Sequence, residues 1–494
     1  MNEWSQQWDG AVARSQDEMS LQHLRSGVYP PHWVALLKRL RELEPIGSIL
    51  EVGCSTGYLA LLLQKEGVKF ASYTGVETNE AALISAARRF GCYSEDHDDE
   101  GGVDYYIDAR VGRAYSFYRS LGELFEDGVP TRRFDVVIDG ACIMHVPEWQ
   151  EHARMLGLLA RRELIFSRLP RERGTMRNDT VGHGRQFAAW AFNWFDVLVA
   201  SRWPQNTEMP EIGDSEQLCL PRVRPALTYH DRGYQAKGDL MRRSHAGYMA
   251  TVHYDDDMPS PLLHGQSRIE AMWALGPSHL AAMMKAQQSD ITYVDADYYF
   301  FGPLDEYYHE VGDAPAAIIP HNMTTMAEVE QIGRRDGLGV ALQRAMSLHE
   351  AHAPLYGTYN VGMVYFDNTV QGRKILNWWA ERCAEWCFAR VEDGKFGDQK
   401  YLDQFPAMGA KVITNPGVGM GPWSSKMLRV WRRDDDGHPN AGQLMIGKPG
   451  EARRLLAWHF STFRPDRWID PVYGDCSWAR PAYEEYAKAW ERLK

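Results

Sequence analysis

Two carboxylates stand two positions apart at the end of an apolar run, Ile291-Thr-Tyr-Val-Asp295-Ala-Asp297. In an extended chain residues i and i+2 face the same side, so both carboxylates point one way. Side by side they repel unless a cation lies between them. Their oxygen atoms suit a hard divalent ion, Mn²⁺ or Mg²⁺, with a diphosphate as its further partner. A second constellation lies near the N-terminus, Ile49-Leu-Glu-Val-Gly-Cys-Ser-Thr-Gly57. Gly53 and Gly57 carry no Cβ, so a bound ligand can come close to the backbone. The next apolar run ends in Val76-Glu77, where a carboxylate can accept both hydroxyls of a ribose. Phe134-Asp-Val-Val-Ile-Asp139 places one more acid at the carboxyl end of a strand.

The series Glu51, Gly53, Ser55 and Gly57, with Glu77 and Asp139 behind it, resembles the class I S-adenosylmethionine (SAM)-dependent methyltransferases over about residues 45 to 200. The first motif of that family is an acid followed by Gly-x-Gly-x-Gly, and here Ser55 replaces the middle glycine. The resemblance implies that Gly53 and Gly57 border the methionine part of SAM and that Glu77 holds its ribose. It places Asp108, in Tyr106-Ile-Asp108-Ala, by the adenine. NAD competes for such a turn, but its Gly-x-Gly-x-x-Gly spacing is absent. Methyl transfer to oxygen gains from a general base near neutral pH, which histidine supplies. His145 follows the strand that ends in Asp139 and is the candidate; His183 in a Gly-flanked loop is the other. A structural role is the plain alternative for each.

After Asp297 come Tyr298-Tyr-Phe-Phe-Gly-Pro-Leu-Asp305, Tyr359-Asn360-Val-Gly362, Phe396-Gly-Asp398-Gln399-Lys400-Tyr and Ala457-Trp-His459-Phe. This ordered set, over about residues 226 to 465, resembles the GT-A glycosyltransferases, especially their glycogenin-like and galactosyltransferase-like retaining branch. The resemblance implies that Asp295, Asp297 and His459 hold the metal. Asn360 and Asp398 contact the donor sugar, with Gly362 in the same turn, and Gln399 lies near the reacting carbon. The ion would neutralise the departing nucleoside diphosphate. Tyr229 and Asp231 are candidates for the base and ribose of a UDP- or GDP-sugar, and Lys285 for a phosphate. A solvated helix lysine is the plain alternative for Lys285. Taken alone, His459 between Trp458 and Phe460 reads as a core histidine; the upstream carboxylates turn the reading to metal. The branch has Asn-Ala-Gly where this chain has Asn360-Val-Gly362, so the bulkier Val361 reshapes the donor pocket.

These residues need a frame. Residues 1 to about 45 read as a helical lead-in, with Trp33, Leu36, Leu37 and Leu40 on one face. Strands are expected at 48–52, 72–76, 134–138, 163–167 and 195–201, with a last one at 217–220. Helices are expected at 58–66 and 80–90, ended by Gly67 and Gly91. Such alternation implies a parallel sheet covered on both faces. Pro221 and Pro225 punctuate the chain, and a boundary is placed near residue 223. Strands are expected again at 226–229, 248–253, 291–294, 316–319 and 362–366. The expected fold is α/β in two domains: a Rossmann-like methyltransferase sheet in 1–223 and a GT-A α/β domain in 224–494. Ile375, Trp378, Trp379, Cys383 and Trp386 follow helical spacing and read as a core face.

Composition narrows the partners. The 494 residues carry 54 Lys and Arg against 66 Asp and Glu, a net charge of −12. Such a chain gains nothing from counterion release, so nucleic acid is not expected as a general partner. Positive charge for an anionic nucleotide must therefore be supplied locally. The seven cysteines form no CxxC pair, which fits reduced packing residues. A polar N-terminus and the lack of any run of about 18 apolar residues point to a cytoplasmic chain without a signal peptide or membrane span. The function expected is bifunctional, in glycan biosynthesis: sugar transfer to a glycan or lipid-linked acceptor, and methylation of a glycan hydroxyl. Two alternatives stand beside it: one domain only binds, or the chain tailors a small natural product.

Overall fold

An apolar run without polar alternation suits a strand covered on both faces. Ile46–Val52 (β1) is such a strand and lies inside the first sheet. The computed structural model describes residues 10–92, 106–108, 113–140, 142–167, 169, 176–182, 185–191, 197, 200–201, 217–221, 224–245, 249–254, 263–337, 349–424, 428–434, 441–447, 451–463 and 477–493. Two compact units are present, Met1–Val223 and Arg224–Lys494. In the first, β1 is joined by Phe70–Val76 (β2), Tyr106–Asp108 (β3), Arg113–Tyr118 (β4), Phe134–Asp139 (β5), Ala160–Phe166 (β6) and Leu218–Pro221 (β7). Their order is β7-β6-β5-β1-β2-β4-β3. The inner run from β6 to β4 is parallel, and the edge strands β7 and β3 are antiparallel to their neighbours. The chain goes from β1 to β2 on one side and comes back as β5 on the other. The switch point thus falls between the carboxyl ends of β1 and β5, where open α/β sheets bind ligands.

Helices cover this Rossmann-like sheet. Gly10–Ser26 (α1) and Pro31–Glu42 (α2) form the lead-in, and α2 buries Trp33, Leu36, Leu37 and Leu40 on one face. Tyr58–Lys65 (α3) follows β1, and Glu80–Arg89 (α4) is capped by Asn79, whose side chain accepts the Ala82 N–H. Trp149–Leu159 (α5) follows β5. A strand is expected at 195–201, but its described residues are not extended. Val197 and Ala200 are helical, and Ser201 N–H donates to Val197 O at 2.9 Å, an i→i−4 bond. A short apolar run fits a buried helical turn as well as a strand.

The second unit has a mixed sheet. Ala226–Asp231 (β8), Met249–Tyr254 (β9), Ile291–Val294 (β10), Ala316–Pro320 (β12), Tyr359–Phe366 (β13) and Lys411–Val412 (β14) lie in the order β9-β8-β10-β13-β12-β14. Here β13 runs antiparallel to both β10 and β12. Tyr298–Phe300 (β11) pairs antiparallel with Ala457–His459 (β15), with Tyr298 opposite His459. Gln235–Ser244 (α6), Arg268–Gln287 (α7) and Val370–Glu385 (α8) are its main helices before residue 400. Ile375, Trp379 and Cys383 of α8 are buried, a core face. No helix among the described residues is long and apolar enough to cross a membrane.

The lead-in is tied to the sheet by a bidentate pair. Arg39 of α2 donates to both carboxylate oxygens of Glu163 in β6, at 2.6 and 2.7 Å, and Glu163 is 1% exposed. Removing the guanidinium leaves a buried carboxylate without its partner. Arg39→Ala should therefore cost about 3 kcal/mol in denaturant unfolding of the first unit, and adding Glu163→Leu should recover most of it.

Candidate functional site

In the second unit the strand β10 delivers Val294 to the sheet's carboxyl edge, and the two acids follow. Asp295 N–H donates to Gly362 O at 2.8 Å, and Phe460 N–H donates to Asp297 O at 2.8 Å. The β11–β15 pairing then sets His459 over both. His459 Nε2 lies 2.8 Å from Asp297 Oδ1 and 3.5 Å from Asp295 Oδ2. One ligand atom from each of these three residues lies within 4.8 Å of the others. The Tyr293 hydroxyl donates to Asp295, and Lys237 Nζ stands 3.5 Å from Asp297 Oδ2. The His459 ring rests on Tyr298 at 4.6 Å and meets the edge of Trp423 at 5.0 Å. Its Nδ1 is buried with no hydrogen-bond partner.

Burial raises the Asp295 carboxyl, against the pull of His459. Burial also works against the Asp297 carboxylate, but the charge and hydrogen bond of His459 outweigh it and hold that group low. For His459 burial disfavours the charged ring, and the two carboxylates reverse the balance and raise it. The trio is a preformed charge cluster. Two carboxylates and a neutral imidazole are a donor set that could hold a divalent ion such as Mn²⁺.

Asn360, Gly362 and Asp398 lie by the trio, and Gln399 and Asp231 are held by bonds of their own. Asn360 is buried, and its Oδ1 accepts the Gly362 N–H at 2.5 Å. A Cβ on Gly362 would stand 2.7 Å from His459 Nδ1, so glycine is what lets the ring lie there. Burial pushes the Asp398 carboxyl up to about 7, with the Asp295 charge adding. Trp379 Nε1 of α8 fixes the Asp398 carbonyl at 3.0 Å. Gln399 Nε2 donates to Tyr356 O at 2.9 Å. Asp231 ends β8 and accepts the Gly233 N–H at 2.9 Å.

Two predicted contacts lie elsewhere. Tyr229 is a core residue: its ring stacks on Tyr293 at 4.8 Å and its hydroxyl presses on Gly276 of α7. It supports Tyr293 from within the core. Lys285 is exposed in the last turn of α7, just before the amino end of β10. The helix returns against the strand direction, so Lys285 sits at the opposite edge from Asp295. Sequence reasoning missed Lys237 and His321. His321 directly follows β12, a position that could have singled it out. Burial pushes its ring down to about 3, and its Nδ1 lies 3.2 Å from Thr358 O.

In the first unit the turn after β1 is drawn in by Gly53 and Cys54, whose N–H groups donate to Val76 O at 2.8 and 3.1 Å. Gly53 and Gly57 adopt φ of +77° and +79°. A Cβ on Gly53 would lie 2.2 Å from Cys142 Sγ. Ser55 also takes a left-handed conformation, φ +48°, at a cost of roughly 1 kcal/mol for a residue with a Cβ. Its N–H donates to Glu77 Oε2 at 2.9 Å, while Glu77 Oε1 accepts Asn79 N–H at 2.8 Å. Asp139 is fully buried, accepts the Ile143 N–H at 3.2 Å and lies 2.8 Å from His152 Nε2. His152 was not foreseen, since nothing in the spacing of strand end and helix start marks it. His145 ends the 3₁₀ turn Ile143–His145 and is half-buried. His183 lies outside the described residues.

Asp108 is a correction. It pairs with Arg113, beyond the Ser72–Ala114 register of β2 and β4. That is the amino edge of β4, whereas Gly53, Glu77 and Asp139 cluster at the carboxyl edge. Because β3 folds back antiparallel, sequence order runs away from the site.

Glu51 is buried and accepts the Tyr73 hydroxyl. Burial pushes its carboxyl up to about 8, with the Glu77 and Asp139 charges adding. A carboxyl raised on folding gives a stability that is full at acid pH and lost as pH climbs through the folded value. In ligand-free protein, Glu51→Gln should gain on the parent chain by up to about 1.4 kcal/mol per pH unit between pH 5 and 8. Parallel stability profiles for the two chains would show that this charge is not buried.

A family model described as a methyltransferase domain matches residues 23–193. "Uncharacterized protein YfnF" of Bacillus subtilis (strain 168) is 28% identical over 217 residues, 42% of this chain and 62% of that protein, so the chain spans less than two thirds of that relative's length. Among solved structures, the sugar N-methyltransferase KedS8 from Streptoalloteichus sp ATCC 53650 is 16% identical, with 41% of this chain and 91% of that one covered and a TM-score of 0.26. The SAM-bound amino pentose methyltransferase CalS10 from Micromonospora echinaspora is 13% identical, with 41% and 95% covered and a TM-score of 0.26. The matched segment holds β1 with its Gly-rich turn, Glu77 and Asp139 at the switch point of a Rossmann-like sheet. The N-terminal unit is therefore a class I SAM-dependent methyltransferase domain.

Proposed function

We propose that the chain is a bifunctional enzyme of glycan assembly. The second unit transfers a sugar from a UDP- or GDP-sugar to a glycan or lipid-linked acceptor, with GT-A character and a divalent ion, Mn²⁺ or Mg²⁺. The first methylates a hydroxyl, on our reading of the same glycan. The observation that carries the glycosyl-transfer reading is the meeting of Asp295, Asp297 and His459, from two distant stretches of chain, with Asn360 and Asp398 beside them. A purely structural ion cluster is a weak reason for such a site. Buried ion pairs stabilise little against apolar replacements, and this one needs Gly362 to make room for the ring.

Asp295, Asp297 and His459 would hold the ion, which supplies charge for the departing nucleoside diphosphate. Asn360 and Asp398 would take donor sugar hydroxyls, Gln399 would lie near the reacting carbon, and Asp231 near the ribose. With its carboxyl near neutral in pKa, Asp398 can act as donor or acceptor of a hydrogen bond. Retention at the anomeric carbon is what the branch resemblance implies.

In the methyltransferase unit, Gly53 and Gly57 would border the methionine part of SAM, with Ser55 between them, and Glu77 would hold the ribose. SAM carries a sulfonium and an ammonium, and Glu77 and Asp139 would offer carboxylates to them. His152, fixed by Asp139, stands beside His145 as a candidate base for the acceptor hydroxyl. Joining two activities in one chain raises the effective concentration of a shared acceptor.

Two measurements test this. Purified protein with Mn²⁺ and a panel of UDP- and GDP-sugars should slowly release nucleoside diphosphate, and Asp297→Ala or a chelator should abolish it. Release that persists in the variant would break the metal reading. By calorimetry, Glu77→Ala should weaken SAM binding at least about tenfold, or 1.4 kcal/mol. Unchanged affinity would remove Glu77 from the ribose site.

A further inference from the structure

Lys237 is the one cation of a side chain other than histidine that the structure places beside the carboxylate pair among the described residues. It extends from the first turn of α6, just beyond the carboxyl end of β8. A lysine so close to a helix start normally swings in solvent. This one is held: Nζ donates to Ser461 O at 3.0 Å and to Phe460 O at 3.3 Å, and stands 3.5 Å from Asp297 Oδ2. Only 15% of its side chain is exposed, and the Tyr234 ring lies 5.1 Å from Nζ. The two carbonyls belong to the residues that directly follow His459, and Phe460 N–H is itself bonded to Asp297 O. The ammonium is thus fastened to the same segment that supplies a ligand.

We propose that Lys237 is a tethered counter-cation that makes divalent-ion binding at Asp295, Asp297 and His459 conditional on an anionic diphosphate. This rests on the metal reading given above. A fixed positive charge in a buried site opposes a divalent ion strongly, because little water screens it. Lys237 cannot retreat without breaking both carbonyl bonds. A nucleoside diphosphate brings the negative charge that offsets the ion and the ammonium together. Ion and nucleotide then bind cooperatively, and by linkage each tightens the other by the same factor. The site takes up its ion with the donor and lets it go with the product.

The test is Mn²⁺ binding followed by the electron paramagnetic resonance signal of free Mn²⁺, with and without UDP or GDP. Lys237→Gln keeps an N–H for the carbonyls and removes the charge; Lys237→Arg keeps the charge. Wild type should bind Mn²⁺ weakly alone and at least tenfold more tightly with the diphosphate. Lys237→Gln should bind Mn²⁺ alone at least tenfold more tightly than wild type and gain little from the nucleotide, while Lys237→Arg should behave as wild type. Thermal melts check that each variant is folded, and a melted Lys237→Gln hands the comparison to Lys237→Met. Mn²⁺ binding to the uncharged variant no tighter than to wild type overturns the inference. Asp297→Asn separates the two readings. If it leaves Mn²⁺ binding intact, the metal site itself is wrong; if it abolishes binding while the lysine variants match wild type, only the role of Lys237 falls.

Discussion

Repulsion between carboxylates in a site with little water is the constraint around which each unit is arranged. Each sheet carries acids to its carboxyl edge, where strand ends converge, and each edge must then find positive charge. In the second unit the chain supplies it internally. His459 is raised by Asp295 and Asp297, and Lys237 stands behind Asp297. In the first unit His152 faces Asp139, while Glu51 is raised by burial and by its acid neighbours. One edge is balanced by its own residues and the other is partly left to a cationic ligand.

Much of the frame lay open in the sequence. Strands β1, β2, β5, β10 and β12 are apolar runs that can only be buried, and the helices after β1 and β2 end at Gly67 and Gly91 as expected. The Gly-rich turn and the Asp-x-Asp pair were legible because their chemistry is local: a few adjacent residues decide it. His459 was legible only with help, since between Trp458 and Phe460 it has the surroundings of a core histidine.

What sequence order hid is direction. Asp108 is expected at its site from its place in the sequence, but β3 turns back and carries it to the amino edge, while Lys285, exposed in the last turn of α7, fits the solvated helix lysine that is its plain alternative. Tyr229 stacks on Tyr293 within the core. Lys237 and His152 act through partners 60 and 13 residues away, Asp297 and Asp139. No periodicity records such pairs, because they exist only after helices have docked on the sheet.

The pairing of β11 with β15 has a consequence in time. Tyr298 meets His459 only when some 160 further residues have been made. A chain emerging from the ribosome N-terminus first can pair β8 with β10 early, yet its two carboxylates stay without their histidine until the last part arrives. Closure of the cluster is therefore a late event of folding, and a chain cut short before residue 457 would keep much of its sheet while lacking the histidine of the cluster.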